Sequence, residues 1–179
     1  MRITAEHTSC LVVDYQEKIV PAMAEKEALL ANSVKLLKGL GILGIPRIIT
    51  GQYTKGLGLN VPEIFAAAGT EEYFDKLTFS SFEVPEVKKA LGPEKGTVLL
   101  CGIEAHVCVL QTAIDLKEAG YQPVLVVDCI SSRRESDKEI ALIRAQQEGI
   151  LLTTSEAILF ELTRAAGTDT FKQISKLVK

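Results

Sequence analysis

Five short apolar runs punctuate the chain, and each is followed by a glycine, a proline or a polar turn. They cover residues 9–13, 45–50, 98–101, 123–128 and 150–153. Between them lie longer stretches whose apolar positions recur at helical spacing: residues 25–43, 62–68, 85–91, the segment leading to Gly120, 136–148, 155–166 and 168–178. Gly44, Gly92-Pro93 and Gly149 mark the breaks, and Ser155 caps a helix with Glu156 in its first turn. Runs that are apolar at every position, not at alternate ones, are the signature of strands buried on both faces. Strands alternating with helices imply right-handed βαβ units. The pattern therefore predicts an α/β fold of three layers (αβα): a largely parallel, Rossmann-like sheet flanked by helices. Residues 51–60 are glycine-rich and read as an irregular loop bordering a pocket.

In such a sheet, ligands bind beyond the carboxyl ends of the strands. Asp14, Thr50-Gly51-Gln52, residues 102–108 and residues 128–132 all fall at those ends. Among them Cys108 sits at or just before a helix start, where free N–H groups and the positive end of the helix favour a thiolate. Position alone also fits a cysteine packed in the core. Asp14 is a candidate general base or a plain turn residue. Lys76, close in sequence to Phe74, Phe79 and Phe82, is a cation that lowers a neighbouring thiol's pKa if buried. His106 lies too near Cys108 in a tight turn to be its oriented base, and reads as a pocket-rim residue.

With 179 residues, 47% hydrophobic and 24% charged, the chain has the make-up of one globular domain spanning residues 1–179. A net charge of −3 gives no electrostatic reason to expect nucleic acid or an anionic membrane as partner, and points to a small-molecule substrate. No run approaches the length of a bilayer span, and the first seven residues lack the apolar core of a signal peptide, so a cytoplasmic protein is expected. Four cysteines without a CxxC pair, and only two histidines, suggest neither a disulfide framework nor a zinc site.

Four blocks set in order change this picture. Val12-Val13-Asp14-Tyr15-Gln16, then Lys76-Leu77-Thr78-Phe79-Ser80-Ser81-Phe82, then residues 101–113 around Cys108, then Val127-Asp128-Cys129-Ile130-Ser131-Ser132-Arg133 resemble the signature blocks of the isochorismatase-like cysteine hydrolases, especially the small single-domain members. The resemblance covers roughly residues 5–165, and the block around Cys108 is its most specific part. It implies a catalytic triad of Asp14, Lys76 and Cys108. In it Asp14 moves the thiol proton, Lys76 stabilises the thiolate, and Cys108 attacks a carbonyl to form a thioester that water hydrolyses. It also implies a non-proline cis peptide at Ile103–Glu104, with the N–H groups of Glu104 and Cys108 facing the oxyanion, and assembly into homo-oligomers. Tyr53, Phe79, Phe82 and His106 are the expected pocket wall.

Nicotinamidases of the same superfamily bind a metal through an Asp and histidines, some of them in the loop after the second strand. Here residues 51–58 hold no His and no acid, and His7 and His106 are the two histidines of the chain. True isochorismatases act on a dianion, whereas the basic candidates are few: Lys55, Lys76 and Arg133. The expected activity is therefore metal-independent hydrolysis of a small amide or other C–N bond, without a cofactor. The alternatives are a member of low activity acting as an oligomeric interaction module, for which residues 168–179 offer an amphipathic face, or an isochorismatase- or nicotinamidase-type activity.

Overall fold

The computed structural model describes residues 1–92, 94 and 96–179. Six strands form one sheet: β1 (Thr8–Val13), β2 (Arg47–Gln52), β3 (Phe74–Lys76), β4 (Thr97–Ile103), β5 (Gln122–Ser131) and β6 (Leu151–Thr153), in the order β3-β2-β1-β4-β5-β6. Every neighbouring pair is parallel. Eight α-helices among the described residues accompany it: α1 (Lys26–Ile42), α2 (Thr54–Leu57), α3 (Pro62–Ala68), α4 (Pro85–Leu91), α5 (Leu110–Glu118), α6 (Glu135–Gln147), α7 (Ser155–Thr163) and α8 (Asp169–Val178).

The unbroken apolar runs follow from burial on both faces. In β1, Cys10 and Val12 join Leu99 and Cys101 of β4 in a layer beneath α1, α3, α7 and α8. Leu11 and Val13 join Val98 and Leu100 in the opposite layer, closed by α4, α5 and α6. Side chains alternate across a strand, so a strand covered on both faces is apolar throughout. The face of α8 is spoken for within the chain: Ile174 is fully buried, and the Phe171 ring lies 6.2 Å from that of Phe160 on α7. No helix of the described residues is long and apolar enough to cross a membrane.

Several elements depart from the periodicity. The second strand begins at Arg47, after Gly44 in a left-handed conformation and Pro46. A short edge strand, β3, pairs Lys76 with Gln52 where no strand is expected. The loop after β2 contains the single helical turn α2. β5 runs to Ser131, and its register against β4 jumps between Leu100 and Gly102. Helix α7 stops at Thr163, short of Ala166. The turn expected at Gly92-Pro93 includes Pro93, which lies outside the described residues.

One glycine is dictated by contact. Gly102 has φ +136°, and a Cβ there would run into the carbonyl of Val13, its partner across the β1–β4 ladder. That close approach brings the residues after β1 and β4 together at the carboxyl edge. The sheet order reverses there, since β1 connects outward to β2 while the chain later returns to β4 on the other side of β1. This is the crevice where α/β sheets bind ligands.

Candidate active site

Three adjacent strands deliver three polar side chains to that edge. Asp14 follows β1 directly in a left-handed conformation (φ 54°), which Asp tolerates better than most residues. Gln52 ends β2 and Lys76 ends β3, opposite each other in the ladder. From β4 the chain passes through a cis Ile103–Glu104 peptide bond into a π-helical stretch, Ala105–Val109, which carries Cys108 and continues as α5. Within the stretch the N–H groups of Val107 and Val109 donate to the Glu104 carbonyl at 3.1 and 3.3 Å.

Lys76 Nζ lies 2.7 Å from Asp14 Oδ2, and both side chains are almost completely buried. The ammonium also donates to Gln52 Oε1 at 2.6 Å, the Phe79 carbonyl at 3.0 Å and the Thr78 carbonyl at 3.3 Å. Four acceptors thus surround the buried Lys76 head group. Asp14 Oδ1 accepts from Thr50 Oγ1 at 2.9 Å. Oδ2 has the ion pair but no hydrogen bond of good direction, which leaves it acceptor capacity for a proton. Cys108 Sγ stands on the same side, 3.9 Å from Gln52 Oε1.

Behind these groups a buried chain ties Asp14 to the backbone of Cys108. Thr50 Oγ1 is 3.2 Å from Ser81 Oγ, the Ser81 N–H donates to Thr112 Oγ1 at 2.8 Å, and Thr112 Oγ1 donates to the Cys108 carbonyl at 2.6 Å.

The charge balance corrects one expectation. Burial, then the charge of Asp14, push the Cys108 thiol up to about 12, and the Lys76 charge only partly opposes them. Burial likewise raises the Asp14 carboxyl, against the pull of Lys76. The resting sulfur is thus a thiol and not a thiolate. Its place ahead of α5, which begins at Leu110, does not outweigh desolvation and a carboxylate neighbour.

A cavity of about 150 Å³ opens onto the sulfur, lined by Asp14, Ile19, Gln52, Leu57, Phe79, Ile103, Glu104, Val107 and Cys108. It brings together Asp14, Glu104, Cys108 and Phe79 of the residues singled out in sequence, with Lys76 just behind. The other three lie elsewhere. The Tyr53 ring covers Gly56 and is half exposed. Phe82 packs edge-on against Tyr121, ring centroids 5.7 Å apart. His106 Nδ1 is 2.9 Å from Ser132 Oγ, and its Nε2 is 4.0 Å from Asp137.

Gln52, Ile19, Leu57, Ile103 and Val107 complete the wall unforeseen. Gln52 did carry a signal, its place at a strand's carboxyl end. Among the described residues no group of three or more His, Cys, Asp or Glu is placed to hold a metal ion. A larger cavity, about 540 Å³, opens at the amino ends of the strands near Ser9 and Thr97, at the far edge of the sheet from Cys108.

Known proteins share both sequence and frame. The isochorismatase domain model matches residues 8–157. Isochorismatase domain-containing protein 2 of Danio rerio is 38% identical over 99% of this chain and 89% of its own. The structure described as MAR1 ribonuclease from Caenorhabditis elegans is 38% identical, with a TM-score of 0.93 over 99% of this chain and 92% of that one. The YcaC gene product of Escherichia coli, described as an octameric hydrolase of unknown specificity, shares the fold with a TM-score of 0.89 at 22% identity, over 99% of this chain and 90% of that one. With a sheet that ends in a buried Asp–Lys pair beside a cysteine, and with these likenesses along nearly its whole length, the chain belongs to the isochorismatase family.

Proposed function

We propose that residues 1–179 form one hydrolase domain that cleaves a small amide or related C–N bond through a thioester on Cys108, without a metal. The observation that carries this reading is the Asp14 carboxylate, held 2.7 Å from Lys76 and opening onto the same cavity as Cys108. A carboxylate with a free acceptor lobe beside a protonated thiol is a base in place. As Sγ bonds to the carbonyl carbon, the thiol proton passes to Asp14 and the carbonyl electrons move onto oxygen. The N–H groups of Glu104 and Cys108 then stabilise that oxyanion. Collapse breaks the C–N bond, and Asp14 returns its proton to the departing nitrogen. Water, deprotonated by Asp14, attacks the thioester, and the thiol re-forms.

The donor set supports metal-independence, because among the described residues no histidine lines the cavity. Ribonuclease activity, named for the nematode structure, does not suit this site. A net charge of −3 and a cavity of about 150 Å³ carrying two carboxylates offer a polyanion neither attraction nor room. Four free cysteines fit a cytosolic home.

A second reading, an oligomeric interaction module, is favoured by one observation. Ile140 and Ile143 on α6 and Leu151 on β6 are exposed at 65%, 51% and 39%. Self-association and catalysis are compatible, so the test is catalytic. In a panel of small amides followed by intact mass, the wild-type protein and Cys101→Ala accumulate an acyl adduct and turn over, whereas Cys108→Ala does neither. Turnover by Cys108→Ala overturns the cysteine mechanism, and light scattering reports the assembly independently.

A further inference from the structure

We propose that the group held on the sulfur is a short, uncharged, apolar acyl chain, so that the substrates are amides of small aliphatic acids. This rests on the cysteine-hydrolase reading above and goes further by assigning what the cavity accepts. Volume, lining and charge all point the same way. A cavity of about 150 Å³ beside the sulfur, open on one side, receives a short chain, and a longer one would run past its apolar wall into solvent without further contact. Away from the catalytic groups its wall is aliphatic and aromatic: Ile19, Leu57, Ile103, Val107 and Phe79.

The charges in the lining are both negative, Asp14 and Glu104, and among the described residues that line it none is cationic. Lys76 cannot serve an anionic substrate, because its side chain is 0% exposed and its ammonium is taken up by Asp14, Gln52 and two carbonyls. Arg133 donates its Nε to Glu104 at 3.1 Å and stays outside the lining. A carboxylate on the acyl chain would therefore enter an apolar space with no cation left to pair with it, since Lys76 and Arg133 are already taken by Asp14 and Glu104.

In the covalent step the Cys108 Sγ–C bond forms and the C–N bond breaks, with ammonia leaving after receiving the thiol proton by way of Asp14. The retained acyl group is the part the cavity must enclose. The test measures ammonia release and the Cys108 adduct for butyramide, hexanamide and succinamate, with p-nitrophenyl acetate as an activated acyl donor. Butyramide is expected to be preferred over hexanamide by about tenfold or more, and over succinamate by roughly a hundredfold. Phe79→Ala and Leu57→Ala, at a half-exposed position and at the end of the single turn α2, are expected to narrow the gap to hexanamide. Far-ultraviolet circular dichroism reports whether those variants are folded.

Equal rates for succinamate and butyramide, or faster hexanamide, overturn the assignment while an acetyl adduct from p-nitrophenyl acetate leaves the nucleophile standing. The assignment falls in the same way if that ester acylates Cys108 and no amide is cleaved. An absence of any adduct on Cys108, from the ester included, overturns the cysteine-hydrolase reading itself.

Discussion

Gln16 and Gln52 hold each other by both ends of one amide. The Gln52 N–H donates to Gln16 Oε1 at 2.8 Å, and Gln16 Nε2 donates to the Gln52 carbonyl at 2.9 Å. The Gln16 side chain thus acts as a strand neighbour would, and its second N–H reaches the Gly58 carbonyl at 2.6 Å, fastening the loop after β2. The side chain of Gln52 carries the connection onward, accepting from Lys76 at 2.6 Å and donating to the Leu77 carbonyl at 2.9 Å. A fully buried residue two positions after Asp14 therefore fixes the partner of the Lys76 ammonium.

Gln16→Leu keeps the volume and removes three hydrogen bonds, orphaning part-buried backbone groups of Gln52 and Gly58. Each orphan costs about 1–3 kcal/mol, so the urea midpoint is expected to fall by an amount equivalent to several kcal/mol. At temperatures where the variant is fully folded, kcat is expected to drop about tenfold, because Gln52 no longer holds the Lys76 ammonium in place. An unchanged midpoint and kcat would show that the reciprocal amide is dispensable.

Asp14→Asn separates two roles of one carboxylate. The Asp14 charge raises the Cys108 thiol, so its removal lowers that pKa from about 12 and speeds alkylation by iodoacetamide at mildly alkaline pH. Acylation by an amide is expected to slow by about 100- to 10,000-fold, because no base takes the proton during attack. Opposite movement of the two rates is the diagnostic. Cys10, Cys101 and Cys129 are buried, and alkylation confined to Cys108 certifies that the variant is folded. Parallel loss of both rates would contradict the assigned base.

Lys76→Met leaves the Asp14 carboxylate buried without its counter-ion, at an expected cost of about 3–5 kcal/mol near neutral pH. Burial already raises Asp14, and losing Lys76 removes the largest opposing influence, so its folded pKa rises further. A carboxyl whose folded pKa exceeds its unfolded one favours folding below the unfolded value, and that advantage is lost as pH rises through the folded value. The variant is therefore expected to gain stability on mild acidification, and Asp14→Asn combined with Lys76→Met should abolish that pH response. Thermal melts across the acid-to-neutral range measure both effects.

The sheet was legible because its strands are apolar at every position, as Val98, Leu99 and Leu100 show, and only burial on both faces demands that. Strand β3 was not, because three residues at an edge are too few to establish a period. Asp14 and Cys108 stood out as strand-end residues, but their pairing with Lys76 came from likeness to a family, since spacing in sequence does not state which strand ends adjoin. The segment around Lys76 shows the limit most clearly. Phe79 reaches the cavity and Phe82 the core beside Tyr121, and an irregular stretch has no period to tell them apart. The state of the Cys108 thiol is hidden from the sequence for a related reason: position relative to a helix is visible there, whereas burial and the approach of Asp14 are tertiary.

The close approach at Gly102 limits what the sheet edge tolerates beside the active site. Its partner in the ladder, Val13, immediately precedes Asp14, and its own chain leads through Ile103 and Glu104 toward Cys108. A methyl group at Gly102 meets the Val13 carbonyl, which is held in the ladder and cannot turn aside as a side chain would. Gly102→Ala is therefore expected to cost more than about 4 kcal/mol, or to prevent folding. Gly120→Ala provides the control, because φ is +89° there while nothing lies within 4 Å of the added carbon. That variant incurs only the conformational cost, about 1–2 kcal/mol. Urea denaturation of the two proteins measures the difference. Equal losses would show that backbone conformation alone, and not contact between β1 and β4, requires the glycine beside the active site.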